Sequence, residues 1–428
     1  MSDTTLDATT YYRATANREF AGARPDALPA RVEVAVIGAG LTGLSAALEL
    51  ASAGRRVAVF DAGPVGWGAS GRNGGQVCTG FSPGMSGFEK QLGQADARLC
   101  FDMAEEAKQL LTGRIERHGI DCDLTWGFLH AAARPSHVAH LREHADELER
   151  YGVTGLSMLN REELREKLDS PAYHGALREA HAGHIHTLNY CLGLAAAVQT
   201  EGGLIFENMA VEAVQDGAPA RLKLAGGREL LCDQVIVACN AYLGQLVPGL
   251  NHRVMPVASY VITTGSLGPE RAHGLIRDRE AVSDSNFVVD YFRLTADNRM
   301  LFGGRCSYSG IHPKDLAANM RPRLLRIFPQ LQDVPVEFAW GGHIGITYNR
   351  LPDVGRQGRS IYYAHGYSGQ GVLLTGIFGK LLAQAVCGDQ ARFDVFARIR
   401  HLPFPGGWLR RPALTLGMLY YRVRDLLS

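Results

Sequence analysis

The order of apolar and polar positions opens on a nucleotide-domain pattern. Val34-Ala35-Val36-Ile37 is an unbroken apolar run, suited to a strand covered on both faces. From 41 to 53 apolar residues recur at helical spacing (Leu44, Ala47, Leu48, Leu50), and Gly54 ends that helix before a second strand, 56–60, which finishes at Asp61. Beyond it the pattern predicts amphipathic helices over 101–118 and 137–150, a short strand at 127–132 between them, and an alanine-rich helix over 191–200. Strand patterns follow near Ile205 and Val211 and at 235–239, 260–263, 287–293 and 300–302. A last strand at 361–364 leads into a long apolar helix, 372–387, and the tail over 412–427 is apolar on one side, as a helix closing onto the protein would be.

This arrangement predicts an α/β fold, α+β overall: a Rossmann-like nucleotide-binding domain with an inserted, mainly antiparallel substrate domain. The expected boundaries are 31–90, 170–250 and 345–400 for the nucleotide-binding domain, which the glycine elements below make an FAD-binding domain, and 91–169 and 251–344 for the substrate domain. Residues 1–30 form an N-terminal arm and 401–428 a C-terminal helical tail. A chain of 428 residues is long enough for two such domains.

Composition removes several alternatives. A formal net charge of +1 leaves no electrostatic footprint for nucleic acid or an anionic membrane. The eight cysteines show no C-x-x-C or metal-type spacing, so they are expected to be reduced, and no metal site is expected. No apolar run reaches the length of a membrane span, and 1–30 carries no signal-like hydrophobic core. The expected location is the cytoplasm.

Two glycine-rich elements carry the cofactor reading. In Gly38-Ala39-Gly40-Leu41-Thr42-Gly43, between strand and helix, Gly38 allows the tight turn and Gly40 lets the backbone approach a pyrophosphate. Gly43 lets helix and strand pack, and the helix N-terminus offers N–H groups to the diphosphate. Asp61 can accept from both ribose hydroxyls and would repel a 2′-phosphate. The second element, Ser70-Gly71-Arg72-Asn73-Gly74-Gly75-Gln76, suits the ribityl-phosphate side of a flavin, with Arg72 as a phosphate or wall contact. The pair indicates FAD. A third element, Gly366-Tyr367-Ser368-Gly369-Gln370-Gly371, again runs from a strand into a helix, whose N-terminus would face the flavin pyrimidine end. Val211, Asn240 and Gly342 complete the expected cofactor set, with 340–355 closing the pocket from below.

These markers, in this order, resemble the D-amino-acid oxidase-type superfamily of FAD oxidoreductases. Tyr11-Tyr12-Arg13-Ala14-Thr15-Ala16-Asn17, Gly68 to Gln76, Gly183-His184-Ile185-His186, Asp290-Tyr291-Phe292-Arg293-Leu294-Thr295-Ala296-Asp297 and Phe404-Pro405-Gly406-Gly407 resemble the gamma-glutamylputrescine oxidase family more narrowly. The resemblance implies FAD, hydride transfer from an amine α-carbon to flavin N5, an imine hydrolysed to an aldehyde, and H2O2 formed from O2. Relatives acting on amino acids often carry a carboxylate-clamping arginine where this chain has Ile344, and some carry a lysine at the position of Leu373. Both are missing here, which favours an amine without an α-carboxylate. Covalent flavin attachment in relatives uses a cysteine just before the position of Thr347 or a histidine beside the second glycine element. Residues 344–346 and 73–78 supply neither, so FAD is expected to be non-covalent.

The expected substrate is a small-molecule amine, gamma-glutamylputrescine or a similar polyamine derivative. The alternatives are a cyclic or N-substituted amino acid of the L-pipecolate type, or a dehydrogenase passing electrons to a quinone or partner protein. Tyr291, Trp340 and Tyr260 are the candidate aromatic walls, and Arg293 or Arg305 the partner of an acidic group on the substrate. His343 and Gln370 complete the candidate catalytic set. Core packing is the competing reading for Tyr291 and Trp340, and an ordinary hydrogen-bonded histidine for His343. His184 and His186 are expected to be structural.

Overall fold

The computed structural model describes residues 8–286, 288–307 and 312–404, with the side chain of Arg305 excepted. Apolar β-branched runs form the centre of a first sheet, in which Ile361–His365, Arg228–Val237, Arg31–Ile37, Val57–Phe60 and Leu204–Phe206 lie side by side and parallel. Asp353–Gln357 adds an antiparallel edge, and the hairpin of Val211–Gln215 and Ala220–Leu224 extends from Arg228–Val237. The helices Leu41–Ser52 and Gly371–Val386 pack against each other on one face, with ten of 12 residues of the first and ten of 16 of the second buried and most of the others half-buried. Their apolar residues run all round because sheet and neighbouring helices cover every side.

The second sheet runs in the order Val336–Thr347, Val254–Thr264, Met300–Ser307, Tyr291–Leu294, Ala281–Asp284, Thr125–Ala131, Ala176–His184, Gln76–Val77. Its pairs are antiparallel except Ala281–Asp284 with Thr125–Ala131. Alternation sorts its side chains between two cores. Val261, Leu301 and Trp340 turn toward the nucleotide-type domain, whereas Tyr260, Phe292 and Phe302 turn into a separate core beneath the helix Leu316–Ile327.

Two differences from the sequence reading concern connectivity. Ala176–His184 and Gln76–Val77 belong to the second sheet, although 31–90 and 170–250 were expected to lie within the FAD-binding domain. A period-2 pattern marks a strand but not its partner, and the chain crosses between sheets at the second glycine element and again at Ile185. Among the described residues of the expected strand 287–293, only 291–293 are in a strand, Tyr291–Leu294, because Asp284 turns back onto Asp290 through backbone and carboxylate hydrogen bonds. The helix expected at 101–118 spans Gln94–His118, and that at 191–200 spans Thr187–Thr200. The expected tail helix lies outside the described residues. Among the described residues no single helix is long and apolar enough to cross a membrane.

Candidate functional site

The strand Arg31–Ile37 delivers the first glycine element to the N-terminus of Leu41–Ser52 at the mouth of a long cavity. A Cβ at Gly43 would fall 1.9 Å from the Gly38 carbonyl oxygen, so any side chain there would push helix and strand apart. Gly40 caps the helix without a side-chain acceptor, which leaves first-turn N–H groups toward the cavity; Ser70 Oγ accepts one, from Leu41, at 3.0 Å. Asp61 ends the neighbouring strand, its carboxylate accepting from Ala39 N at 2.7 Å and Gly63 N at 2.9 Å. Burial pushes this carboxyl up, against the pull of those two N–H groups.

The cavity holds about 1330 Å³ of free space, its open mouth included. Its lining joins the first glycine element, Asp61 and the third glycine element, which suits an extended dinucleotide. Of the expected cofactor residues, Gly38, Gly40, Leu41, Thr42, Asp61, Ser70, Asn73, Val211, Asn240, Ser368, Gly369 and Gly371 line it. First-turn N–H groups for a diphosphate, an acidic acceptor for ribose hydroxyls at Asp61 and a second helix N-terminus at Gly371 fit the polar groups of FAD. Leu373, one turn along that helix, is 3 % exposed and faces the core.

The rest of the expected cofactor set serves the frame. Gly43, as described, closes helix on strand. Arg72 is buried: Nε donates to the Trp67 carbonyl at 2.7 Å and Nη1 to the Gly341 carbonyl at 3.2 Å, which corrects its reading as a phosphate contact. Gly342 packs on the Arg72 side chain. A Cβ at Gly75, where φ is +78°, would lie 2.2 Å from the Ile185 carbonyl oxygen, and Gly74 packs under Tyr291. Gln76 is paired with His184 in the second sheet. Gly366 donates its N–H to Asn240 Oδ1 at 3.0 Å, fixing the third element rather than lining the cavity. The second glycine element therefore contributes Ser70 and Asn73 to the cavity and uses its glycines to let two domains touch.

The expected catalytic residues separate in the same way. Trp340 is fully buried, its Nε1 donating to the Arg72 carbonyl at 2.9 Å; it is a core residue and not a substrate wall. Arg293 is 2 % exposed and donates to the carbonyls of Gly74, Leu294 and Ile185 and to the Tyr12 hydroxyl. It is a bolt between elements, which corrects its reading as the partner of a substrate acid. Tyr260 faces the second core, its hydroxyl 2.8 Å from His312 Nδ1. Tyr291 lies across Gly303 and Gly74, and His343 sits edge-on to Tyr242, with its backbone N donating to the Tyr242 hydroxyl at 3.1 Å. Gln370 precedes the helix Gly371–Val386, and its Oε1 is buried without a hydrogen-bond partner among the described residues. His184 and His186 are structural, bonded to the Arg279 carbonyl and to Asn189 N respectively.

The sequence reading missed Trp67, Tyr242 and Tyr367 as cavity walls. Tyr367 sits inside the third element and its hydroxyl meets Thr42 Oγ1 at 2.8 Å; Trp67 directly precedes Gly68. Tyr242 carried no motif signal, since only the turn out of Arg228–Val237 brings it there. Ile344 does line the cavity, at the wall contributed by the second sheet.

Comparison with known proteins agrees with this geometry. The family model described as "DAO: FAD dependent oxidoreductase" matches residues 33–385. The chain is 42 % identical to gamma-glutamylputrescine oxidoreductase of Escherichia coli (strain K12), covering 99 % of this chain and 100 % of that protein. It is 38 % identical to the probable oxidoreductase OrdL of Haemophilus influenzae, with 92 % of each chain covered. Among solved structures, glycine oxidase from Geobacillus kaustophilus superposes with a TM-score of 0.73 at 23 % identity, covering 87 % of this chain and 100 % of that one. The nucleotide-type domain, the cavity between its glycine elements and these matches have one conclusion: the chain belongs to the DAO family of FAD-dependent oxidoreductases.

Proposed function

We propose that this enzyme oxidises the primary amine of gamma-glutamylputrescine or a similar polyamine derivative, with O2 as the final electron acceptor. The observation that carries the reading is Ile344, an apolar side chain on the cavity wall at the position where amino-acid-oxidising relatives often place a carboxylate-clamping arginine. No lysine, arginine or histidine lines the cavity among the described residues, so an α-carboxylate would enter without a partner. The name of the Escherichia coli relative supports the same substrate class.

FAD, when bound, supplies the two-electron acceptor for oxidation of the carbon–nitrogen bond. The chain's own residues bind and orient. The first-turn N–H groups at Gly40–Thr42 and at Gly371 provide fixed dipoles for anionic parts of the cofactor, and Asp61 takes the ribose. Trp67, Tyr242, Ile344, Tyr367 and Val372 exclude water and leave an apolar wall against which a neutral amine can lie. The substrate loses a hydride from its α-carbon and a proton from nitrogen, and water converts the imine to aldehyde and ammonia. The attachment of FAD is read as non-covalent, since 344–346 hold no cysteine and 73–78 no histidine, the anchors relatives use at those places.

Anaerobic bleaching of the flavin by a panel of amines and amino acids tests the reading. Gamma-glutamylputrescine should bleach it fastest, and release peroxide in air. Bleaching by L-pipecolate with none by gamma-glutamylputrescine would overturn it.

A further inference from the structure

We propose that Arg13, on the N-terminal arm, binds the carboxylate at the far end of the substrate in a second cavity beside the cofactor pocket. The inference rests on the substrate reading above, which needs a cation for the glutamyl carboxylate. Arg293 is committed to four protein acceptors, and the described lining of the cofactor cavity holds no cationic side chain.

A second cavity of about 770 Å³ of free space, its open mouth included, lies between the start of the arm and the turn that follows Asp61. Thr9, Thr10 and Arg13 form one wall, and Trp67, Gly71 and Arg72 the other. Trp67 lines both cavities and is 37 % exposed, so it is the partition between them. A ligand with its amine at one end and its carboxylate at the other can reach into both past this one ring.

The two arginines have different holdings. Arg72 is a fixed positive charge, 8 % exposed, with its guanidinium on the carbonyls of Trp67 and Gly341 and over the Trp67 ring at 5.5 Å. Arg13 is exposed, and no ion pair or side-chain hydrogen bond holds it among the described residues. Its backbone is nonetheless rigid. Thr10 Oγ1 accepts from Arg13 N at 3.0 Å, Tyr11 is tied to Asp297 at 2.7 Å, and Tyr12 is wholly buried beneath Arg293. An exposed guanidinium on an anchored backbone, lining the same cavity as a second, fixed positive charge, is a site for a carboxylate, which a planar fork binds through two N–H groups. The arm also packs on the strand that carries Ile344: the Tyr12 ring is 5.9 Å from that of Trp340, four residues before Ile344.

The test compares two substrates with the same oxidisable amine, gamma-glutamylputrescine and N-acetylputrescine, the second having no carboxylate. In the FAD-loaded enzyme, Arg13→Ala should raise KM for gamma-glutamylputrescine by roughly 10- to 100-fold and leave kcat/KM for N-acetylputrescine within about twofold. Arg13→Lys should fall between. Calorimetric binding of L-glutamate γ-ethylamide to the oxidised enzyme should weaken by the same factor in Arg13→Ala. Equal loss on both substrates, no change on either, or the selective effect moving to Arg305→Ala would each overturn the assignment of Arg13. Wild-type enzyme that leaves gamma-glutamylputrescine unoxidised would overturn the substrate reading itself.

Discussion

The Arg293 guanidinium donates to the Tyr12 hydroxyl at 3.0 Å, joining the fourth strand of the second sheet to an arm 281 residues away in sequence. Both residues are almost wholly buried, and three more Arg293 N–H groups go to the carbonyls of Gly74, Leu294 and Ile185. A buried charge in this position is stabilising only while its partners are present. Tyr12→Phe should therefore lower stability by about 1–3 kcal/mol, and Arg293→Met by a similar or larger amount. Substrate KM for the Tyr12→Phe enzyme should stay at the wild-type value. Thermal unfolding and steady-state kinetics check this, and a KM rise without a stability loss would restore Arg293 to the substrate site.

Gly43 has no room for a side chain against the Gly38 carbonyl. Gly43→Ala should open the strand–helix contact at a cost of about 1–3 kcal/mol and displace the N–H groups that face the diphosphate. Purified protein should then carry a small fraction of the wild-type flavin, read from its visible absorbance at equal protein concentration. Full flavin content would show that the turn tolerates the shift.

Ile344 stands on the cavity wall where an arginine would convert an apolar surface into a carboxylate clamp. Ile344→Arg should reduce kcat/KM for gamma-glutamylputrescine by about tenfold or more, since a guanidinium there replaces the apolar wall against which the neutral amine lies. Flavin bleaching by L-pipecolate or sarcosine should become measurable. Unchanged behaviour toward both classes would place the substrate away from Ile344.

His186 links pH to the docking of the arm. Its Nδ1 accepts from Asn189 N at 3.1 Å, its Nε2 lies 3.1 Å from Thr15 Oγ1, and its ring meets Tyr12 edge-on. Burial, with the charge of Arg293 adding to it, pushes the imidazole down from 6.5 to about 4. The unfolded chain therefore binds a proton between those values that the folded chain refuses. Stability from this group is present above pH 6.5 and is lost as pH falls toward 4, by up to about 3 kcal/mol. His186→Gln should flatten the fall in unfolding temperature between pH 6.5 and 4.5; a variant whose profile runs parallel to wild type would remove His186 as its cause.

The nucleotide-type half of the fold and its cofactor were legible in the chain because they rest on local signals. A strand, a glycine turn, a helix and an acidic strand end are neighbours in sequence, and the steric and dipolar demands of a diphosphate act on those neighbours directly. The same was true of the gap at Ile344, which the structure does bring to the cavity. The substrate side was not legible from single residues. Arg293, Trp340 and Arg72 have the chemistry of a binding site, and only their tertiary partners show that each is consumed in holding strands, loop and arm together. Conversely Tyr242 and Trp67 carry no motif and become walls because a turn and a loop from distant segments converge there. Periodicity determines which elements form and which face is apolar. Which buried polar group is spent on the protein and which stays open to a ligand depends on partners hundreds of residues away, and that only the tertiary structure decides.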